Sequence, residues 1–536
     1  MQAKKLIVFT LLLFLLVSLI SLLVNPLIND DATMYAVTIR NTVLYNQWLA
    51  PLISPGDISS FLDKPPLGIW ILSIMPKLLG VSVFSVHLSN VLIYIILLGV
   101  LYVFLIKSGY NRIALNTVII SSTSMVMILF ARTPKLDILI AFTIMMSHLF
   151  IFRYLKTKGI KYLYLFTLSV AIGVLIKSGF ALIMPGLTIL MLIILNKSVR
   201  DLFVKFLMSR YFYLCLLLLV SVVSAILAIQ WFAFNSIYFR YLESIFIQSK
   251  YNTSYMGFGL NLSVIGFMLV AIFPWTPLFL SNLKLKFKYT GSLSFYSFCQ
   301  AWFLSNFLFF MFFFKQTDIR TFTILVVPMS ILSAYKLCSI DLIKKKRLVE
   351  IVWTIVFVFL FILLIVSIIS NPINASGFDQ RILIFTLGLF VIAEGILFVY
   401  LLKPSMYKFI LLFAFICLSY TALFIQAPTI ANQFNPYVEW PALVSQYKLD
   451  NYSFVIYRPS GRNLHMSSDL CFVDFMVGPA DQYVWEQSTL LRLIEEGGVI
   501  VLSDTKSFQK LNINNWNVIA KDKHDSVILI SKKKNK

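Results

Sequence analysis

From residue 6 to residue 426 the chain is dominated by long apolar runs, and this constrains the fold more than any other feature. A helix needs about 20 apolar residues to cross roughly 30 Å of hydrocarbon. We read thirteen such runs, at 6–24, 84–106, 115–131, 136–152, 161–176, 178–195, 211–232, 262–280, 295–314, 321–338, 350–370, 382–402 and 407–426. Composition agrees: 59% of the 536 residues are hydrophobic and 13% charged, against roughly 45–50% and 25% in soluble proteins. A cytosolic enzyme, a disordered chain and a disulfide scaffold are thereby excluded. The expected fold is a polytopic α-helical membrane protein. The first run follows Lys4 and Lys5, as in a signal peptide. However, VNPLINDD comes next without a small-residue cleavage site, so the run reads as an anchor.

The net charge of +22 looks suited to nucleic acid. The bases lie between apolar runs rather than in one patch, so no nucleic-acid partner is expected. With the N-terminus in the cytoplasm, seven short inner segments hold 22 Lys and Arg, whereas the longer outer connections hold eleven. That is the positive-inside bias, and it places residues beyond about 427 outside. Acids show the opposite asymmetry. Asp30, Asp31, Asp57, Asp63, Asp137, Glu243, Asp318 and Asp379 are external, against Asp201, Asp341 and Glu350 on the inner side. Polar chemistry is therefore expected at the outer face.

Two outer segments, 25–83 and 233–260, are too apolar for solvated loops and read as interfacial pieces roofing an outward-facing cavity. Residues 1–429 are thus read as the transmembrane domain. Residues 430–536 change character: YSFVIY, LCFVDFMV, GVIVLS, WNVIAK and SVILIS read as strands, and STLLRLIEEGG as a helix ending at a Gly cap. This predicts a small α/β domain with a mixed sheet. The five Cys form no CxxC pair, and His465, His524 and Cys471 lack metal-ligand spacing. His148 and Glu394, inside apolar runs, read as packed polar residues.

Five outer motifs carry candidate chemistry. Asp30 and Asp31 follow the first run as a carboxylate pair suited to a metal, a general base or a helix cap. In FLDKPPLGIW, two prolines hold Asp63 and Lys64 rigidly; the Lys suits a phosphate, or snorkels to water, and the Asp suits a divalent cation. Asp137 opens a run in ARTPKLDILIAF, where an ionised carboxylate in hydrocarbon costs about 2.5–3.5 kcal/mol; it must face a polar cavity or cap the helix. Lys177 lies between two runs in IGVLIKSG, and Lys315, Asp318 and Arg320 lie in KQTDIRTFTILVVP. Each cation alone suits an interfacial anchor, but their convergence on one face favours anion binding.

The order and wording of NDDATMYAVTIRN, FLDKPPLGIW, GVSVFSVHLSN, ARTPKLD, IGVLIKSG, FPWTP and RTFTILVVP resemble the bacterial GT-C membrane glycosyltransferases, of the aminoarabinose transferase and protein mannosyltransferase type. The resemblance implies a GT-C fold of about 13 spans and inverting transfer from a polyprenyl-phosphate sugar at the periplasmic face of the bacterial inner membrane. It makes Asp31 the first choice for the essential carboxylate, with Asp30 beside it, Tyr35 four residues on and Asp137 as the second acid. Lys64 becomes a phosphate contact, Asp63 a metal-associated position and Lys177 the family lysine, here separated from Gly179 by Ser178. Departures, such as His87 where relatives often carry Arg, bear on the sugar and acceptor more than on the reaction. The expected acceptor is lipid A and the expected sugar an aminosugar. Protein O-glycosylation is the first alternative and a lipid-linked-sugar transporter the second. A divalent cation is compatible with the sequence but not required by it.

Overall fold

The structure, a computed structural model, describes residues 31–61, 64–177, 179–240, 242, 258–282, 293–315, 317–339, 440–449, 451–457, 468–484, 486–505, 509, 517–521 and 527–532. The runs read at 6–24, 350–370, 382–402 and 407–426 lie outside these residues, as do Asp30, Asp63 and Glu394.

The first helix, α1 (Asp31–Leu44), buries ten of its residues from Ala32 to Thr42, including Arg40 and Asn41. Helix α1 is therefore enclosed by the rest of the protein. The two prolines of the next motif act as expected: Pro65 is extended, with φ −59° and ψ 152°, and Pro66 opens α2 (Pro66–Leu72). A first-turn proline lacks only an N–H that would have had no partner in the helix. In α3 (Ile74–Leu79), Ile74, Leu78 and Leu79 are exposed, while Lys77 sits 4.7 Å from the centre of the Trp48 ring. That pattern fits a piece lying at headgroup depth.

The bundle proper starts with α4 (Val83–Lys107), whose N-terminus is closed by a reciprocal Ser82–Ser85 capping box. The run read at 115–131 is two helices, α5 (Asn111–Ser122) and α6 (Met125–Ala131), bent by 62°. Hydroxyls cause part of the break: Thr123 Oγ1 and Ser124 Oγ donate to the carbonyls of Ile119 and Ile120, competing with the helical ladder. Next come α7 (Asp137–Thr157) and α8 (Ile160–Lys177), an antiparallel hairpin turning through left-handed Lys158 at φ 57°. Then follow α9 (Phe180–Leu195), α10 (Lys197–Leu207) and α11 (Arg210–Phe234).

The run read at 262–280 is also broken, into α12 (Ser263–Ala271) and α13 (Thr276–Leu280). Pro274 and Pro277 supply no amide to a continuous ladder. The two breaks lock together. Met125 N donates to Phe273 O at 2.9 Å, and Trp275 Nε1 donates to Thr123 Oγ1 at 2.8 Å. Next, α14 (Phe295–Phe313) leads through a 3₁₀ turn (Ile319–Phe322) into α15 (Thr323–Ser339). Among the described residues six helices are long and apolar enough to cross a membrane, or seven if the bent pair is one span. Within the bundle His148 is packed, as read: it stacks on Trp302 at 4.1 Å and hydrogen-bonds Ile144 O and Thr188 Oγ1.

The C-terminal part contains α16 (Trp440–Leu449), β1 (Ser453–Tyr457), α17 (Ser468–Val477), β2 (Gln482–Val484), α18 (Gln487–Glu496), β3 (Val499–Asp504), β4 (Asn517–Lys521) and β5 (Val527–Lys532). Its sheet is mixed, in the order β2-β1-β3-β5-β4. Strand β1 runs parallel to β2 and β3, while β5 runs antiparallel to β3 and β4. The segment LCFVDFMV, expected as a strand, is instead the helix α17. A short apolar run does not distinguish strand from buried helix, and joining parallel neighbours β1 and β2 needs a crossover, which α17 supplies. The helix read in STLLRLIEEGG is α18, ending at Gly497 with φ 71°.

Candidate active site

The hairpin geometry builds the first half of the site. Because α7 and α8 run antiparallel, the first residue of one and the last of the other meet at the same end. Lys177 Nζ donates to Asp137 Oδ1 at 2.5 Å. Small residues let the surrounding helices close on this pair. A Cβ on Gly173 would stand 2.4 Å from Ala181 Cβ and 2.9 Å from Thr143 Oγ1, so α7, α8 and α9 touch there only because Gly173 has no side chain. A Cβ on Gly68 would meet Leu136 Cδ2 at 2.6 Å and Ile176 Cγ2 at 3.4 Å. The Pro65–Pro66 motif therefore packs α2 against the immediate chain neighbours of Asp137 and Lys177. Lys64, half-buried, stands just before those prolines.

The second half joins the ends of the described bundle. Arg320 Nη1 donates to Asp31 Oδ2 at 2.5 Å, and Arg320 Nε lies 3.1 Å from Asp318 Oδ2. Asp318 is itself fixed, because its side chain accepts from Arg320 N and caps the 3₁₀ turn. Tyr35 is buried one turn beyond Asp31 on α1. Burial pulls the Asp31 carboxyl up, but the Arg320 hydrogen bond and charge, aided by Lys135 and Lys177, outweigh it and hold the group below its ordinary value of 3.8.

Exposure separates the two acids. The Asp31 side chain is 45% exposed and Arg320 32%, whereas Asp137 is 5% exposed and Lys177 24%. Asp31 and Arg320 are thus open to solvent on one side, whereas Asp137 is enclosed against Lys177. Lys315 is exposed, and its backbone carbonyl accepts from Asn261; among the described residues its ammonium joins no ion pair. The residue missed from the sequence is Lys135, buried at 5% exposure, whose charge reaches Asp31. Asn90 Nδ2 secures its loop by donating to Lys135 O at 2.8 Å and to Thr133 O. The available signal was a second base two residues before Asp137, in a chain where charges are scarce.

Asp63, the position at which a divalent cation is expected, lies outside the described residues. Among the described residues no three His, Cys, Asp or Glu side chains come together. Asp31 and Asp137 are each already matched by a cation at 2.5 Å. Among the described residues the arrangement is a cluster of bases with three acids, Asp31, Asp137 and Asp318, spaced among them, suited to a phosphate beside a carboxylate.

The chain thus combines an apolar bundle, acids and bases paired at one end of it, and a small α/β unit after it. Comparisons with known proteins identify the fold. The family model described as dolichyl-phosphate-mannose-protein mannosyltransferase matches residues 63–229. The undecaprenyl phosphate-alpha-4-amino-4-deoxy-L-arabinose arabinosyl transferase of Wigglesworthia glossinidia brevipalpis is 30% identical over 188 residues. That alignment covers 34% of this chain and 33% of the relative, so it spans about a third of the relative's own length. Among solved structures, apo ArnT from Cupriavidus metallidurans matches with a TM-score of 0.72, covering 99% of this chain and 98% of that one at 13% identity. ArnT bound to undecaprenyl phosphate matches with a TM-score of 0.71, covering 98% and 97% at 14% identity. At such identities the likeness establishes the fold. The chain is a multi-pass membrane protein with the GT-C fold, similar to ArnT and the mannosyltransferases.

Proposed function

We propose that the chain is a glycosyltransferase that moves a sugar, in our reading an aminosugar, from a polyprenyl-phosphate donor to lipid A with inversion at the anomeric carbon. The carrying observation is the pair of acid–base contacts, Asp31–Arg320 and Asp137–Lys177, at one end of a bundle that matches ArnT throughout. Support for the donor comes from the undecaprenyl phosphate bound by ArnT in one of its structures, and support for the sugar from the arabinosyl transferase similar over residues of this membrane region. The bias of Lys and Arg supports a site on the periplasmic side of the bacterial inner membrane, with the N-terminus in the cytoplasm and residues 430–536 as a periplasmic domain.

Chemically, the donor's bond from the anomeric carbon to the phosphate oxygen breaks, and the electron pair leaves with the phosphate. Arg320, Lys177, Lys64 and Lys135 supply the positive charge that stabilises this leaving group, and electrostatic stabilisation of that kind is commonly the largest catalytic contribution. Lys315, exposed two residues after the end of α14, would attract the anionic headgroup. The acceptor oxygen forms the new bond from the opposite face of the sugar. A lipid A phosphate is already nucleophilic, so Asp31 would orient it; a hydroxyl acceptor would instead transfer its proton to Asp31. Tyr35 lines the same helix, and Asp30 adjoins it in the chain.

Mass spectrometry of lipid A from cells with and without the gene tests the acceptor. Unchanged lipid A would remove it and direct the search to glycoproteins, the second reading, which the mannosyltransferase match over residues 63–229 favours. A cation at Asp63 is tested by chelation: loss of activity with EDTA and recovery with one divalent ion would install it, and full activity would remove it.

A further inference from the structure

Helix α1 is gripped from two opposite directions. Arg40 follows Asp31 by about two and a half turns at 3.6 residues per turn, so the two side chains leave opposite faces of the helix. Asp31 meets Arg320 of the membrane bundle. Arg40 meets the C-terminal α/β unit, where its Nη1 donates to Asp474 O at 2.8 Å and its Nη2 to Asp474 Oδ1 at 2.8 Å and Tyr483 Oη at 2.7 Å. Its Nε donates to Asn41 Oδ1 at 3.1 Å, and Asn41 Nδ2 in turn ties the following loop to Ile53 O at 2.7 Å. The Tyr483 hydroxyl donates to Asp474 Oδ1 at 3.2 Å, and the Tyr45 ring meets the Tyr483 ring edge-on at 6.1 Å.

The Arg40 and Asp474 side chains are 3% and 0% exposed. A buried ion pair gains little over an apolar contact as a source of stability, because both charges must lose their water. Its distinctive property is direction: a guanidinium with several of its donors aimed at fixed acceptors tolerates one orientation. Burial pulls the Arg40 guanidinium down, but the charge of Asp474 beside it outweighs that and holds it above its ordinary value. Asp474 lies on α17 and Tyr483 on β2, so two elements of the C-terminal unit set the rotation of α1 about its axis.

We propose that Arg40 is a positioning residue, and that the C-terminal unit is an integral part of the active site, clamping α1 through Asp474 and Tyr483 so that Asp31 faces Arg320 and the substrate. The inference rests on the function proposed above, with Asp31 as its carboxylate. A helix rotated or shifted at Arg40 moves Asp31 without removing any group that touches substrate. Misplacement of that kind can cost about 100-fold in turnover.

The test uses the full chain in detergent or nanodiscs and the variants Arg40→Ala, Arg40→Lys, Asp474→Asn, Tyr483→Phe and the Arg40→Ala/Asp474→Asn pair. Turnover of a polyprenyl-phosphate sugar is measured alongside hydrogen exchange of residues 31–44. The expected result is a large fall in kcat for Arg40→Ala and Asp474→Asn with little change in the donor KM, and partial recovery in Arg40→Lys. The double variant should be no worse than the poorer single, since both remove one clamp. Exchange in α1 should quicken in the same variants and least in Tyr483→Phe. Unchanged kcat in variants that fold, or losses that multiply in the double variant, would overturn the clamp. If the wild-type chain transfers no sugar, the functional reading fails, and exchange still decides: unaltered protection of α1 in Arg40→Ala and Asp474→Asn removes the clamp on its own.

Discussion

Asp31 and Arg320 are 289 positions apart in the chain and 2.5 Å apart in the fold. Their contact links α1 to the 3₁₀ turn before α15, and it holds a partly exposed carboxylate below its ordinary value beside a partly exposed guanidinium.

Removing the carboxylate should therefore stop chemistry without dismantling the fold. Asp31→Asn keeps the shape and a hydrogen-bond acceptor, and turnover is expected to drop by about 10²–10⁴-fold, the usual range for a positioned acid or base. Donor binding should survive, so single-turnover assays with separately measured donor affinity will distinguish the two effects.

The pH profile should carry the signature of Arg320. The Asp31 carboxyl lies below 3.8 because the Arg320 hydrogen bond and charge exceed the opposing effect of burial. A depressed carboxylate contributes stability that is present above its unfolded value and lost as pH falls through the lower folded one. In wild type the acid limb due to Asp31 should thus fall below pH 3.8. In Arg320→Ala burial acts with less opposition, and the limb should move to higher pH. An acid limb that stays in place in this variant would show that another group titrates.

Asp137 should report mainly on stability. The Asp137 side chain is 5% exposed, so Asp137→Asn leaves Lys177 without its matched charge. Breaking a buried pair on one side typically costs about 3–5 kcal/mol, less here because Lys177 is partly exposed. The pair Asp137→Asn/Lys177→Met is expected to melt higher than Asp137→Asn alone in detergent. Equal melting temperatures would contradict the assignment.

Two glycines should differ in how they tolerate a methyl group. At Gly173 the added Cβ meets Ala181 Cβ at 2.4 Å, an atom attached directly to backbone, whereas at Gly68 it meets the flexible end of Leu136 at 2.6 Å. Gly173→Ala is expected to destabilise by about 1–3 kcal/mol and Gly68→Ala by less, as overpacking costs depend on how far neighbours can yield. Thermal unfolding of the two variants checks the order.

Much of the site was legible because charge is rare in this chain, so each outer acid or base stood out. Asp31, Asp137, Lys177 and Arg320 all emerged that way. Which acid meets which base was not legible, since pairing depends on how distant helices pack. Lys135 escaped because it is two residues from the more conspicuous Asp137. Arg40 has no local sequence signal for its role, because its partner Asp474 lies 434 positions away. Local patterns also failed where competing forces were close. The hydroxyls of Thr123 and Ser124 and the prolines of FPWTP broke two runs that hydropathy reads as continuous. The segment LCFVDFMV became a helix because the parallel β1–β2 pair needs a crossover.

The most direct test of the central claim is lipid A mass spectrometry in cells carrying wild-type protein, Asp31→Asn, Lys64→Ala or no gene. The account expects a sugar-sized mass addition with wild type, its absence without the gene, and its loss or sharp reduction in both variants. Lipid A identical with and without the gene would contradict the proposed acceptor. Full addition in both Asp31→Asn and Lys64→Ala would contradict the site.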